Sequence, residues 1–212
     1  HYLSSSQRSA QNKFNYVLSL PPDSMPFDFS IPGADPRSYI IERSRGRDSL
    51  QVWLTDSLLY SQSPITSILR YPFTDSTGAI IQKEDTVLMR YVTPKAARVK
   101  AKTPPFKVVS SFASGNLKPG QQVILSSATP FTDPDTSLIR IYEISGEEKK
   151  NVPFRILPDS INICRMILSA SFLQGKNYMY VADSAAFGDI FGAKSDSTGN
   201  RFIVRADNTF GK

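Results

Sequence analysis

Asp-Ser-Thr-Gly occurs twice in the sequence, at Asp75–Gly78 and at Asp196–Gly199. A pair of short Asp-to-Gly motifs is what an aspartic protease uses to bring two carboxylates close enough to share one proton. The spacing excludes that chemistry. Such a site needs Gly two residues after Asp, whereas Gly78 and Gly199 stand three residues after Asp75 and Asp196, behind the polar Thr74 and Ser195. His1 is the only histidine, so a Ser-His-Asp or Cys-His relay has no base within the body of the chain. Cys164, the only cysteine, lies in Asn-Ile-Cys-Arg-Met-Ile-Leu and reads as a small core residue. Alone it makes neither an intrachain disulfide nor a cysteine metal cluster. Asp133-Pro-Asp135 offers two carboxylates to calcium, but calcium takes about six to eight oxygens, and Asp-Pro-Asp is ordinary turn chemistry. Carboxylates for glycoside hydrolysis would come from Glu42, Glu84, Glu143, Glu147, Glu148 or the aspartates, and no spacing singles out a pair. The expectation is a protein without catalytic residues, cofactor or metal: not an enzyme.

Whatever these residues do, short strands must position them. Fifteen prolines and eleven glycines cut the 212 residues into brief apolar runs, the pattern of an all-β chain, and none approaches the roughly 18 residues of a membrane span. In the first half, Phe14, Tyr16, Leu18 and Leu20 alternate, as do Leu50, Val52 and Leu54. Pro-Ile-Thr-Ser-Ile-Leu-Arg-Tyr from Pro64, and a stretch in which Val87, Met89 and Tyr91 alternate, make four strand candidates. The pattern breaks at Thr93, and the segment from Pro94 to Pro105 reads as a basic linker, so the expected domains are 1–103 and 104–212.

The second half holds about seven short strands between turn residues, the count of an immunoglobulin-like sandwich. The fold class expected is therefore two tandem immunoglobulin-like β-sandwich domains. Leu173, Gly175 and Tyr178 fit a tyrosine corner, in which the hydroxyl bonds back to the preceding loop. Asp56-Ser57 and Asp183-Ser184 are about one domain length apart, as are the two Asp-Ser-Thr-Gly stretches, so the repeat reads as equivalent turns of a duplicated unit. Net charge is +6. Its clusters, Arg43, Arg45 and Arg47 around Gly46 and Lys95, Arg98, Lys100 and Lys102, carry no interleaved aromatics. They read as a solvated hairpin tip and linker, not a nucleic-acid surface.

The stretch Asp183–Arg205 resembles the closing part of bacterial Ig-like domains of the S-layer type, and the first half is similar to the preceding domain of Ig-like envelope proteins and lipoproteins of gut anaerobes. The resemblance implies a noncatalytic spacer or adhesion module in a bacterial cell envelope, in the periplasm or on the outer-membrane surface. Its partner would be an envelope protein or polysaccharide, with a lipid anchor preceding His1 and a further domain following Lys212. It supplies no catalytic residues. Nine of 14 aspartates are followed by Ser or Thr, and eight of those pairs resemble the Asp-Ser/Thr-apolar acceptor of an O-glycosylation system of such anaerobes: Ser24, Ser49, Ser57, Ser76, Thr86, Ser160, Ser184 and Ser197. The plainer reading is that Asp-Ser turns the chain into the next strand. Trp53, Tyr60, Tyr71 and Phe73 could line a sugar platform, which makes an accessory carbohydrate-binding module the alternative function.

Overall fold

The computed structural model describes residues 1–22, 24–92, 106–112 and 114–205, so the linker and the last seven residues lie outside the described residues. The chain divides into two compact units, His1–Ala101 and Lys102–Lys212.

The first unit contains β1 (Leu3–Ala10), β2 (Lys13–Leu18), β3 (Asp28–Ser30), β4 (Tyr39–Arg43), β5 (Ser49–Leu54), a single-turn helix α1 (Ser57–Tyr60), β6 (Ile65–Thr74) and β7 (Ile80–Met89). One sheet runs β1-β2-β5-β4 and the other β3-β6-β7, all antiparallel. Alternation dictates the core. Phe14, Tyr16 and Leu18 of β2 and Leu50, Val52 and Leu54 of β5 face Phe29 of β3 and Ile65, Leu69 and Tyr71 of β6, all buried in one apolar cluster between the sheets. The Tyr16 hydroxyl meets the Ser67 hydroxyl at 2.8 Å, and Ser67 donates to the Val87 carbonyl at 3.2 Å, so this buried polar pair is satisfied.

Among the described residues, seven strands stand where four were expected. β1 was missed because Leu-Ser-Ser-Ser-Gln-Arg-Ser-Ala is too polar to show an apolar face, and β3 because three residues show no period. In β4 no residue is buried outright. Two alternations also stop early: β2 ends at Leu18 and leaves Leu20 53% exposed, and β7 ends at Met89, before Tyr91.

Tyr91 is instead one side of a cation cage. The Arg8 guanidinium lies over the rings of Phe14 and Tyr91, at 5.5 and 5.7 Å from their centroids. It donates to the carbonyls of Gln11, Tyr60, Gln62 and Met89. A fixed planar fork with five donors suits this role. Arg8 thereby ties the first strand to the α1–β6 connection and to the end of β7.

The second unit contains β8 (Val109–Ser110), β9 (Asn116–Leu117), β10 (Val123–Ser126), β11 (Ile139–Ser145), β12 (Glu148–Asn151), β13 (Phe154–Pro158), β14 (Arg165–Ala170), β15 (Asn177–Ala182) and β16 (Thr198–Val204). Its sheets run β13-β14-β10-β8 and β12-β11-β15-β16-β9. All pairings are antiparallel except β9 with β16, which is parallel. The core again comes from alternate residues of both sheets, with Phe112 stacked on Phe202 at 4.3 Å. Set aside β9 and β12, and the remaining seven strands have the order of the first unit: first-second-fifth-fourth in one sheet, third-sixth-seventh in the other. The expected tyrosine corner is present: the Leu173 amide donates to the buried Tyr178 hydroxyl at 2.7 Å, and Gly175 turns the chain at φ +74.

Two expectations need correction. Cys164 is half-buried in the turn before β14 and is not a core residue. The two Asp-Ser-Thr-Gly stretches both follow the sixth strand of their units but are not equivalent turns. Asp75–Gly78 closes the β6–β7 hairpin with Gly78 at φ +85, whereas Thr198 and Gly199 are already in β16, paired with Ala182 and Val181. Asp56-Ser57 follows a fifth strand and Asp183-Ser184 a sixth, so that pair does not correspond either.

Candidate functional site

The Asp-Ser/Thr pairs are the most frequent chemical motif in the chain, and hydrogen bonding explains where several of them sit. Asp56 Oδ1 accepts the Leu58 amide at 2.9 Å, Asp75 Oδ1 the Thr77 amide at 2.8 Å, and Asp159 Oδ1 the Ile161 amide at 2.8 Å. This is the turn in which an Asp side chain mimics the backbone. The carboxylate folds back over the following residue, and that residue, Ser57, Ser76 or Ser160, is exposed. The Thr77 hydroxyl and amide, together with the Ala79 and Gly78 amides, hold the Asp75 carboxyl below its usual range.

The other five acceptors have different settings. Ser24 is exposed in a turn, Thr86 is exposed in the middle of β7, and Ser197 is exposed just before β16. Ser184 is exposed and donates to the Ser195 carbonyl at 3.4 Å, behind Asp183, which pairs with Arg140. Ser49 alone is half-buried, at the start of β5, and its Asp48 takes a hydrogen bond from Ser44 at 2.6 Å. Seven of the eight hydroxyl residues are therefore solvent-facing.

The four aromatics do not form a platform. Trp53 is 2% exposed on the outer face of β5, with the Lys13 ammonium 4.2 Å from its ring centroid and Glu42 accepting from its indole nitrogen at 3.5 Å. Tyr71 is also 2% exposed, facing the core. Tyr60 is half-buried in α1, its carbonyl bound by Arg8. Phe73 is half-buried with the Lys83 ammonium 4.7 Å from its ring centroid. A sugar stacks on an open aromatic face, and the faces of Trp53 and Phe73 already hold cations.

The structure does bring Tyr71 and Phe73 together with two residues that sequence reasoning passed over. The Tyr71 hydroxyl donates to the Asp85 carboxylate, and Lys83 lies 3.1 Å from the same oxygen. Burial, then the Asp85 carboxylate, push the Tyr71 phenol up. Burial pushes Asp85 up as well, but the Tyr71 hydroxyl and the Lys83 ammonium outweigh it and hold the carboxyl below its usual range. The signal was in the sequence: carrying the Val87–Met89 alternation back along β7 puts Asp85 and Lys83 on the same inward face. As a network it closes on itself, with each charge answered.

Asp133 and Asp135 do not converge on a cation. Asp135 Oδ1 accepts from the Ser137 amide and hydroxyl at 3.1 and 2.6 Å and begins a short 3-10 turn. Among the described residues, no three His, Cys, Asp or Glu side chains come together as metal ligands. An open cleft of about 350 Å³ lies in the second unit, floored by Leu117, Val123, Leu168 and Phe172 and rimmed by Lys118 and Gln121. Its lining comes from four strands and their turns, a grouping that no local sequence pattern announces. No family model matches the sequence, and no curated protein matches it.

Proposed function

We propose that this chain is a noncatalytic module of a bacterial cell envelope, made of two immunoglobulin-like sandwiches that act as a spacer and as a recognition surface. The observation that carries the reading is the shared strand order. First-second-fifth-fourth against third-sixth-seventh is the ABED/CFG arrangement of an immunoglobulin constant-type sandwich. In the second unit β12 and β9 extend the latter sheet as added edge strands, and its tyrosine corner belongs to the same fold class. Such sandwiches present variable connections on a rigid scaffold, which favours binding and display over chemistry. The occupied aromatic faces of Trp53 and Phe73 count against the carbohydrate-binding alternative.

The reading extends to modification: in the native host some of Ser24, Ser49, Ser57, Ser76, Thr86, Ser160, Ser184 and Ser197 carry O-glycans. Support comes from the solvent-facing position of all but Ser49, and from the Asp side chains that fold back and leave Ser57, Ser76 and Ser160 outermost. The test is the intact mass of protein purified from envelope fractions of the host. Mass above the bare polypeptide, mapped to these serines and threonine, supports it; a bare polypeptide mass removes the modification, and recovery only from the cytoplasm removes the envelope reading. Glycosylation should spare Ser49 first.

A further inference from the structure

The outer face of the four-stranded sheet in the second unit carries an apolar row that the fold itself does not use. Leu157 of β13 stands opposite Ile167 of β14, and Ile167 opposite Ile124 of β10, so three aliphatic side chains line up across three strands on the face away from the core. Their neighbours Ile156, Met166, Leu168, Val123 and Leu125 point the other way, into the core. Leu157 is 56% exposed, and Val109 of β8, which continues the face beside Ser126, is 49% exposed. Arg155 and Arg165 flank the row, one on each side. Arg155 lies two residues before Leu157, Arg165 two before Ile167, and the antiparallel register sends them in opposite directions. They are separated along the strands by four residue positions, about 13 Å at the rise of a strand. Neither guanidinium makes a hydrogen bond or ion pair among the described residues, whereas on the other sheet Arg140 pairs with Asp183 and Lys176 with Glu143.

We infer that this face is a docking surface for a protein partner that presents an apolar ridge between two carboxylates. An apolar row with an unanswered cation on each side is complementary to that pattern, and complementary charge fixes the register of such contacts. A second copy of this chain does not fit. A two-fold contact sets a surface against itself, and this one sets two arginines against a single carboxylate at its rim, Asp159, which already accepts the Ile161 and Asn162 amides, on a chain of charge +6. Strand addition does not fit either: the open edge strand β13 is preceded by Pro153 and ends at Pro158, and proline cannot donate to a ladder. The face, not the edge, is what is offered.

The inference rests on reading the chain as a noncatalytic module, and its test is separate from the host-fraction experiment. The whole chain, isotopically labelled, is titrated with a synthetic extended peptide whose Leu-Ile-Leu centre has one Glu on each side at the spacing of the arginines, and with the same peptide carrying Lys for Glu. Expected are amide shift changes confined to β8, β10, β13 and β14 with the Glu peptide and none with the Lys peptide. Arg155→Glu with Arg165→Glu should weaken binding at least tenfold, and Leu157→Ser should do so without lowering the melting temperature, because Leu157 is exposed. Equal response to both peptides, or response untouched by these substitutions, overturns the assignment. So does binding of vesicles of phosphatidylglycerol in place of the peptide, which would make the face a membrane contact, and so does a dimer that Leu157→Ser dissociates.

Discussion

The two units have one strand order and two ways of handling a buried tyrosine. In the first, Tyr16 reaches Ser67, which in turn reaches the Val87 carbonyl, so the hydroxyl crosses from one sheet to the other with every bond made. In the second, Tyr180 is as deeply placed, 2% exposed beside Phe112, yet its hydroxyl has no partner among the described residues. The second unit puts its well-bonded tyrosine elsewhere, at Tyr178 in the corner. Topology therefore constrains where the apolar residues go far more tightly than where the polar atoms find partners, because burial is non-directional and a hydrogen bond is not.

The contrast predicts unequal responses in the two units, and the largest concerns Arg8. Replacing it with Ala empties a cage of four carbonyls and two rings and should cost about 3 kcal/mol, as the loss of charge-assisted hydrogen bonds does. Calorimetry should show one transition lowered and the other unmoved; a uniform shift would show that the units do not melt separately.

Alkaline pH should divide them next. Burial pushes the phenols of Tyr16 and Tyr180 well above the ordinary range, and for Tyr16 the Ser67 bond only partly opposes this; Tyr71 moves the same way. A raised folded-state pKa means that the unfolded chain ionises first. The stability is whole below the ordinary tyrosine pKa, about 10, and is lost as pH rises beyond it, by up to about 1.4 kcal/mol per pH unit for each fully enclosed phenol. Tyr71, whose phenol is raised by burial and by the Asp85 carboxylate, adds a smaller loss to that of Tyr16, so the first unit should melt earlier in an alkaline series. Melting of the second unit first would reverse the ranking.

Tyr16→Phe should cost about 1 kcal/mol, while Tyr180→Phe should be neutral or mildly stabilising because it removes a hydroxyl without a bond. Equal losses in paired denaturant curves would mean that Tyr180 has a partner after all, an ordered water being the simplest. Smallest is the glycine comparison. Gly78→Ala forces a methyl into φ +85 and should cost roughly 0.5 kcal/mol net of the stiffer unfolded chain, whereas Gly199→Ala sits in extended backbone with only the Tyr180 carbonyl nearby, at 3.8 Å, and should cost less. Matching losses would restore the equivalence of the two Asp-Ser-Thr-Gly stretches that the backbone denies.

Much of this fold was legible because period-two alternation is a direct imprint of a strand with one buried side. β2, β5, β6, β7 and seven strands of the second unit could be read that way. β1 could not, since an edge strand of serines carries no imprint, nor could β9 and β12, which are defined by a partner rather than by their own pattern. The corner at Tyr178 was legible because all its parts lie within six residues. The aromatic platform failed for the opposite reason. Alternation places Trp53 on the outer face of its strand, but whether its ring is open depends on cross-strand neighbours, and register set Lys13 and Ile40 beside it. The apolar row of Leu157, Ile167 and Ile124 is likewise a product of register across three strands far apart in sequence.

The parallel pairing of β9 with β16 has a mechanical side. Ile203 and Val204 lie beside Asn116 and Leu117, and the Ile203 and Arg205 amides donate to the Gly115 and Leu117 carbonyls, both at 3.0 Å. One strand is near the start of the second unit and the other is its last strand among the described residues, and they run the same way. Tension applied across this pair, at the N-terminal end of β9 and the C-terminal end of β16, would slide one strand past the other and load these bonds together. An antiparallel pair pulled from one end would instead open bond by bond. Along the strand direction the β9–β16 pair therefore resists as a block.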